Sequence, residues 1–441
     1  MPKASRPTSF PRGFATILII TSLYAAPSSQ AAVLWSDGIT DIGSTGYLRA
    51  GIGDSGGHTQ SCFQAPGAGA KYRLGNECEV YGRASLFYRH RLQEGNAAPY
   101  FHAEAQPEFN GAYGDTIEYK AMAQAFVEIG NLRGTPAKAW IGRRYYKRRD
   151  IHINDYFYMN LKGDGFGVRD IPSGFGDLAY TFLRQHTSPS GLGLTSSDEA
   201  VTHNHEFGLH NVKANPGGTL MFDLRHSAIQ DESFSAGAGT VTLHAAQGWA
   251  ATAQHSQQGV FGGTNTAALQ YGRGAARSAW NSPSESAAAL ARLTTAEGAA
   301  GLEAATTWRL VEQHLYDGDK WAMQSAMIWE KRDSRQFDDT DQTWVSLGAR
   351  PMYFLNDHWR LLGEAGYDRV RNRASGVSGY LWKLTAALEW AQQRGFMSRP
   401  VLRGYVTRAG WSDAFRGQVG GSEFADATQG WNAGVQLEAW W

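Results

Sequence analysis

The amino-acid sequence predicts an all-β protein: one large antiparallel β-barrel that spans a membrane. Stretches of about ten residues alternate between apolar and polar side chains, and Gly, Asn, Asp, Pro or Ser separate them. The chain has 52 Gly, 15 Trp, 19 Tyr and 20 Phe, and the aromatic residues gather at strand ends, as in the girdles of membrane barrels. No apolar run reaches the length of about 18 residues that a spanning helix requires. A mean hydropathy of -0.41 agrees with a barrel, because only alternate strand residues face lipid.

The first residues have the composition of a secretory signal peptide. Three basic residues precede an apolar stretch, FATILIITSLYAA, which is too short to span a bilayer, and the small residues of SSQAA follow it. We therefore expect cleavage near Ala31 or Ala32, with 1–31 as the signal peptide and 32–441 as one barrel domain. The whole sequence has 41 basic and 41 acidic residues, so the exported chain is slightly acidic. This balance gives no indication of nucleic-acid binding.

The only two cysteines, Cys62 and Cys78, lie close together in CFQAPGAGAKYRLGNEC. In an exported protein, one close pair indicates a disulfide, which would contribute roughly 3 kcal/mol through loop closure. A metal site is the alternative, but no third or fourth ligand lies nearby in the sequence. The pair is therefore predicted to be a structural disulfide.

The alternating segments combine charged and aromatic residues on their polar faces. Three such pairs are Tyr47 with Arg49 in TGYLRAGIG, Tyr81 with Arg83 in EVYGRASLFY, and Trp440 with Glu438 in WNAGVQLEAWW. The opposite faces of these segments are apolar, as a lipid-facing surface requires. A strand tilted across a bilayer needs about ten residues with this period of two.

The connections differ in length, which distinguishes the two ends of the barrel. Short connections such as ANPGGTL (214–220) are expected to be periplasmic turns. Long connections such as 278–305 are expected to be external loops, and the Ala-rich part of 278–305 can form helix. Only a closed sheet satisfies every backbone polar group in lipid. A mature chain of about 410 residues, at roughly 23 residues per strand and connection, gives 16 to 18 strands and an aqueous channel.

Exposed rings beside charges on a lumen-facing surface suit a sugar. A sugar has an apolar face of C–H groups that can stack on aromatic rings, and a rim of hydroxyl groups that Arg and Asp can bind. Several weak contacts in series let a solute enter the channel and still leave it. Trp440 is therefore predicted to be one step of a sugar path, with packing against an inward-folded loop as the alternative.

The segment WIGRRYYKRRDIHINDYFYMN (140–160) is too charged to face lipid. If it folds inward, Arg148, Asp150 and Asp155 could project hydroxyl-binding groups into a constriction. A solvated external loop is the alternative on the residues alone.

Other chemistries have little support in the sequence. His203, His205 and His210 could bind a metal, but no carboxylate or cysteine completes a site. The GGTN stretch (262–265) lacks the following helix and Lys of a phosphate-binding loop, and no G-x-S-x-G motif is present. We expect neither an enzyme nor a bound cofactor.

Several motifs, in order along the chain, resemble those of the maltoporin family: GYLRAGIG, CFQAPGAGAKYRLGNECEVY, RRYYKRRDIHINDYFY, NPGGTL, GARPMYF, GYDRV, SRPVLRGYVTRAGW and QLEAWW. The resemblance implies an 18-stranded barrel, homotrimeric, in the lipid bilayer and lipopolysaccharide of the Gram-negative outer membrane. It implies facilitated diffusion of maltose and maltodextrins, and a third loop that folds inward to form the constriction.

The resemblance also implies roles for particular residues. The aromatic slide of the family falls on Tyr47, Tyr81, Trp411 and Trp440. Its polar track falls on Arg49, Arg73, Arg148, Asp150 and Asp155. Cys62 and Cys78 match a disulfide in the first loop.

The sequence departs from the family pattern at several sites. Tyr113 is the only substitute for the slide ring that the second loop lends to a neighbouring subunit, and Thr264, near Phe261, replaces a mid-channel Phe. Arg83 stands where the family has Glu, and Ala123 where it has Arg. Phe157 replaces a constriction Tyr, and Asn160 an Asp. These changes leave a sucrose- or aryl-glucoside-type sugar porin as an alternative, followed by a general ion porin or a plugged receptor barrel.

Overall fold

The computed structural model describes residues 31–441 apart from 96, 114, 188–198, 237–238, 279–286 and 336–340. The predicted signal peptide therefore lies outside the described residues, except for residue 31. Among the described helices, none is both long enough and apolar enough to cross a membrane.

Twenty-two strands are present in the described chain. In the first half they are β1 (Ala32–Ser36), β2 (Thr40–Ser55), β3 (His58–Thr59), β4 (Glu79–Arg91), β5 (Tyr100–Ala112), β6 (Glu118–Gly130), β7 (Lys138–Ile151), β8 (Tyr156–Pro172), β9 (Asp177–Thr187), β10 (Ala200–Asn215) and β11 (Gly218–Ile229). In the second half they are β12 (Glu232–Ala236), β13 (Gly239–Leu243), β14 (Ala246–Val260), β15 (Gly263–Gly274), β16 (Thr306–Asp317), β17 (Trp321–Asp333), β18 (Gln342–Phe354), β19 (Trp359–Asn372), β20 (Ser378–Ala391), β21 (Val401–Trp411) and β22 (Gln429–Trp440).

Eighteen of these described strands form a closed antiparallel barrel, and β1, β3, β12 and β13 are short additions. The barrel closes because β2 pairs with β4 along one edge and with β22 along the other. Strand β1 pairs with the start of β2 where β22 ends, so the N-terminal lead of unassigned use prolongs this seam. The predicted barrel of 18 strands is confirmed.

Six short helices lie in the connections of the described chain. They are α1 (Ala287–Arg292), α2 (Ala296–Ala304), and the single 3-10 turns Leu132–Gly134, His152–Asn154, Asp413–Phe415 and Ser422–Phe424. Helices α1 and α2 confirm that the Ala-rich part of the long connection is helical. Short connections such as 216–217 gather at one end of the barrel, which we call the turn end; the other is the loop end.

The barrel wall has apolar residues outside and polar residues inside. On β22, Trp431, Val435 and Leu437 are exposed, whereas Gln436 and Glu438 are almost completely buried. The same alternation on β2 and β4 exposes Ile52 (75%) and Leu86 (63%). This burial pattern, the reverse of a water-soluble protein, is the one a lipid solvent requires.

Two segments fold from the loop end into the barrel. The first, residues 60–78, is called the inner loop; Leu74 N donates to Glu364 Oε1 (2.9 Å), and Lys383 Nζ donates to the Leu74 carbonyl (2.6 Å). The Tyr72 ring lies so close to the wall at Gly348 that a Cβ there would stand 2.1 Å from it, so the close approach requires glycine. The inner loop thereby fills the lumen beside β18 to β21.

The second segment, residues 144–161, is called the constriction hairpin. Strand β7 pairs with β6 only up to Arg143, whereas it pairs with β8 along its whole length, so the hairpin leaves the wall beyond that residue. Its tip crosses to the opposite wall, where the Ile153 amide donates to Gln324 Oε1 (3.2 Å) and Gln313 Nε2 donates to the Asp150 carbonyl (3.2 Å). The segment 140–160 is therefore an inward constriction, and the alternative of a solvated external loop is wrong.

Candidate functional site

Tyr47, Tyr81 and Trp440 lie side by side on the inner face of three neighbouring strands, and we call them the aromatic row. Tyr47 pairs directly with Trp440 across the β2–β22 seam, and the rings of these two residues are 6.4 Å apart and nearly parallel. The Tyr81 ring on β4 lies 5.8 Å from that of Tyr47. All three side chains are partly exposed, although they stand on the polar face of the wall. The structure thus brings together three of the four predicted slide residues.

Trp440 also packs against protein on one side. The Arg399 guanidinium lies 4.2 Å from the centre of its ring, and the His152 ring of the constriction hairpin meets it edge-on at 5.6 Å. Arg399 Nη2 donates to His152 Nε2 (2.8 Å), and burial, reinforced by Arg399, holds the pKa of His152 well below its usual value. One face of the Trp440 ring is therefore occupied, and only the other can take a ligand.

A network of charged side chains fixes the position of the aromatic row. Tyr47 Oη donates to Glu438 Oε1 (2.9 Å) and accepts from Arg73 Nη2 (2.7 Å), while Arg73 also forms an ion pair with Glu438 (2.9 Å). Arg399 closes the network through a second ion pair with Glu438 (2.8 Å). Because these bonds fix the phenol, the Tyr47 ring is pre-organised for stacking.

Arg49 and Arg73 were predicted to bind sugar hydroxyl groups, but both are nearly fully buried in ion pairs. Arg49 bonds Glu77 (3.0 Å) and Glu79 (2.6 Å), and its guanidinium lies 5.9 Å from the Tyr81 ring. Burial opposes ionisation of Glu77, but the two arginines outweigh it and lower the pKa of this carboxyl group. Arg49 and Arg73 therefore support the aromatic row and do not face a ligand.

The constriction hairpin presents Arg148 opposite this wall. Its guanidinium lies between two rings, 4.5 Å from Tyr145 and 4.2 Å from Phe157, and no salt bridge joins it to a carboxylate among the described residues. A guanidinium stacked on both faces still directs N–H groups outward in its plane. Phe157, which replaces the family tyrosine, thus orients Arg148 through its ring.

Two aspartates complete the ligand-facing side of the hairpin. Asp155 is exposed at the tip with a φ of 54°, a left-handed conformation that Asp tolerates, and its Oδ2 lies 3.9 Å from Arg49 Nη1. The side chains of Asp150 and Asn160 are partly exposed. These groups can accept or donate hydrogen bonds along the narrowest part of the channel.

Two residues missed in the sequence also line this region. Tyr145 Oη donates to Glu108 Oε2 (3.2 Å), and the β4–β5 register places Glu108 opposite Arg83. Arg83 itself is partly exposed and has no ion pair within the described chain. Tyr145 lies in the charged segment 140–160, so its ring could have been selected there; nothing in the sequence marks Glu108.

The structure places Trp411 and Tyr113 away from the aromatic row. Trp411 is 3% exposed and packs 5.8 Å from the Phe63 ring and 6.3 Å from the Phe424 ring, under loops at the loop end. Tyr113 is 6% exposed and accepts from Gln436 Nε2 (3.5 Å) of its own barrel, so it is not held out to a neighbour. Neither ring has a free face on which a sugar could stack.

Two other sequence assignments can be placed. Cys62 and Cys78 form the predicted disulfide, with 5.9 Å between their Cα atoms, and it closes the inner loop that carries Arg73. Phe261 is 90% exposed in a turn, outside the lumen. The missing mid-channel step of the slide is therefore not supplied by Phe261.

The three candidate metal-binding histidines do not converge. His203 and His205 face outward on β10, whereas His210 faces the lumen and bonds Asp223 (2.8 Å). No group of three or more metal-binding side chains occurs among the described residues.

A buried ion-pair cluster ties the constriction hairpin to the wall behind it. Lys147 Nζ bonds Glu206 on β10 (2.8 Å) and Asp223 on β11 (2.6 Å), and Arg225 bonds the other oxygen of Glu206 (2.6 Å). Lys147 follows a bulge in β7, at the point where the hairpin turns away from the wall. The cluster therefore fixes the position of the hairpin in the lumen.

A family model described as LamB porin matches residues 42–441, which is nearly the whole chain. The chain belongs to the LamB porin family. It is accordingly an outer-membrane channel with transmembrane β-strands and not an enzyme, and the resemblance to maltoporins is confirmed at the level of the family.

Two solved structures are similar to this chain. OccD3 (OpdP) of Pseudomonas aeruginosa is 12% identical, with a TM-score of 0.47, over 94% of this chain and 93% of that chain. OccAB2 of Acinetobacter baumannii is 9% identical, with a TM-score of 0.48, over 92% of this chain and 99% of that chain.

Proposed function

We propose that this porin conducts oligosaccharides of the maltodextrin class by facilitated diffusion. The aromatic row carries the proposal, because it places three partly exposed rings in sequence on a wall otherwise lined by polar groups. An ion channel gains nothing from such rings, whereas the apolar face of a glucose unit can stack on each in turn.

The constriction hairpin opposite the aromatic row, and strand β4 beside the row, supply hydrogen-bonding groups. Arg148, Asp150 and Asp155 on the constriction hairpin, with Arg83 on β4, face the same space as the row. Charged donors and acceptors form strong hydrogen bonds with hydroxyl groups. A sugar would thus be held between stacking rings on one side and polar groups on the other.

A sucrose- or aryl-glucoside-type sugar channel is the second candidate, and the observation at Phe157 favours it. The residue has no hydroxyl group to bond a sugar, and Arg148 lies against its ring. A constriction with one hydrogen-bonding group fewer holds a linear glucose chain less firmly.

Conductance in planar bilayers separates these candidates. The purified protein should show a current that maltohexaose reduces with a saturable constant, because bound sugar obstructs the lumen. Block by sucrose but not by maltohexaose would favour the second candidate. No block by either sugar would refute a sugar channel altogether.

We further propose a homotrimer, embedded among phospholipid and lipopolysaccharide, from which residues 1–31 have been removed. The basic and apolar composition of that segment supports its removal on export. Intact-mass measurement of the protein from outer membranes should give a chain that starts at Ala32. Light scattering in detergent should give three chains per particle, and one chain per particle would contradict the trimer.

A further inference from the structure

Six basic side chains of strands β9 to β17 stand on the outer, lipid-facing surface near the loop end. We call them the rim cations, although the three histidines carry charge only when protonated: Arg184, His203, His205, His226, Arg273 and Lys331. They share a face with apolar side chains of the same strands; on β10, for example, His203 and His205 alternate with buried inward residues and precede exposed Phe207. The strand pairing connects them, because Arg184 lies opposite His203, and His205 opposite His226. Trp249 on β14 stands between His226 and Arg273, and Trp308 on β16 lies opposite Lys331. The rim cations thus form a patch across β9 to β17 that these two rings interrupt.

Carboxylates of the described chain balance this patch only in part. None of the rim cations forms a salt bridge with a carboxylate within the described parts of the chain. Asp164 lies directly opposite Arg184 in the sheet, but both of its oxygens bond Arg143 (2.8 Å each). Glu199 bonds His186 (2.9 Å), and Arg273 Nε donates to the backbone carbonyl of Glu303 (2.8 Å). Cationic side chains without an ion pair, at the edge of a low-dielectric medium, attract an anion.

Aromatic rings hold the histidines in place. His226 lies 4.6 Å from the Trp249 ring, and His205 lies 5.1 Å from the Phe182 ring and bonds Tyr180 Oη (2.9 Å). Rings of this kind lie at the interface between hydrocarbon and headgroups. The rim cations therefore lie at headgroup depth.

An apolar groove runs along the barrel directly below the patch, toward the membrane centre. It has a volume of about 520 Å³, within the range of ligand pockets. Its lining side chains stand two positions along the same strands from patch residues: Phe207 from His205, Leu224 from His226, and Tyr271 from Arg273. The small side chains of Ala251 and Ala253 form its floor.

We propose that the rim cations and this groove together bind a phosphate-bearing lipid of the leaflet at the loop end. The phosphate groups would accept hydrogen bonds from the arginine, lysine and histidine side chains. An acyl chain of the same lipid would lie in the groove, between Phe207 and Trp308. Because the headgroup site and the acyl-chain site lie on the same strands, a single phosphate-bearing lipid can occupy both sites.

The test uses the full-length protein in detergent, with phosphatidic acid and phosphatidylcholine as competing probes and bound lipid counted by native mass spectrometry. The wild-type protein should retain phosphatidic acid in preference to phosphatidylcholine. The triple variant Arg184→Gln/His205→Gln/Arg273→Gln should lose about tenfold in affinity for phosphatidic acid, since each cation near an anionic headgroup contributes substantially. Equal retention of the two lipids by the wild type, or an unchanged affinity of the triple variant, would overturn the proposal.

Two further variants separate the contributions. Arg369→Gln/Arg371→Gln removes exposed outward cations on β19 that have no groove below them, so its affinity should equal that of the wild type. Ala251→Phe fills the groove floor and should weaken retention although every rim cation remains. A triple variant that assembles differently in light scattering, with lipid affinity unchanged, would show that a second copy of the chain covers this face and would overturn the proposal.

Discussion

Replacing Trp440 with alanine should weaken sugar binding without loss of the barrel. The row loses one of its three rings, and because Arg399 covers one face of that ring, a sugar loses contact with a single face only. One aromatic stacking contact contributes about 1–2 kcal/mol, so the dissociation constant should rise about five- to thirtyfold. Arg399 stays in position through Glu438 (2.8 Å) and His152 (2.8 Å), which limits the damage to the fold.

The assay is the block of planar-bilayer current by maltohexaose, titrated for the wild type and the variant. Trp431→Ala is the matched control, because Trp431 lies on the same strand but is 40% exposed on the lipid side. Trp440→Phe, which keeps a ring, should give an intermediate constant. An unchanged constant for Trp440→Ala, or an equal rise for Trp431→Ala, would refute the assignment of the aromatic row to sugar binding.

Three other outcomes are expected. Lys147→Met leaves buried Glu206 with Arg225 and buried Asp223 with His210 as their remaining partners, at a cost of about 3 kcal/mol, so the hairpin should loosen and single-channel conductance should rise and fluctuate. Lys331→Met, on the lipid-facing surface, should conduct like the wild type. Trp411→Ala should lower the free energy of unfolding by about 3–5 kcal/mol but leave the dissociation constant of maltohexaose unchanged. A higher dissociation constant would show that Trp411 belongs to the aromatic slide. Because burial lowers the pKa of His152, its contribution to stability is complete above about pH 6.5 and is lost as the pH falls through the folded-state pKa. Urea unfolding at pH 5 and 7 should therefore show a smaller pH dependence for His152→Gln than for the wild type.

The barrel was predictable because its signal is local. A period of two in TGYLRAGIG and WNAGVQLEAWW determines which side chains face lipid, and the structure confirms both faces. The charge density of 140–160 likewise excludes the lipid face, so an inward fold was one of two choices. The ring pairs on polar faces identified three of the aromatic residues in the lumen.

Contacts between segments remote in the chain were not predictable. Trp411 has the composition of a slide residue, but Phe63 and Phe424, which bury it, come from two loops whose paths depend on the whole barrel. Arg49 and Arg73 are charged residues on or near a polar face, and only the position of the inner loop shows that Glu77 and Glu438 neutralise them. The alternation of apolar and polar residues predicts which side of the barrel wall a side chain faces, but it does not predict which loop covers that side chain.

The seam between β2 and β22 has a consequence for assembly. Tyr47 and Glu438, which share a hydrogen bond, are 391 positions apart, and Trp440 stands beside them. The aromatic row therefore forms only when β2 pairs with β22 and closes the barrel. A slip of one residue in that junction would turn Trp440 toward the acyl chains. Under the proposed function, sugar affinity would therefore report correct closure. A preparation of misregistered barrels should be inserted in the membrane and folded by circular dichroism, but should not bind sugar.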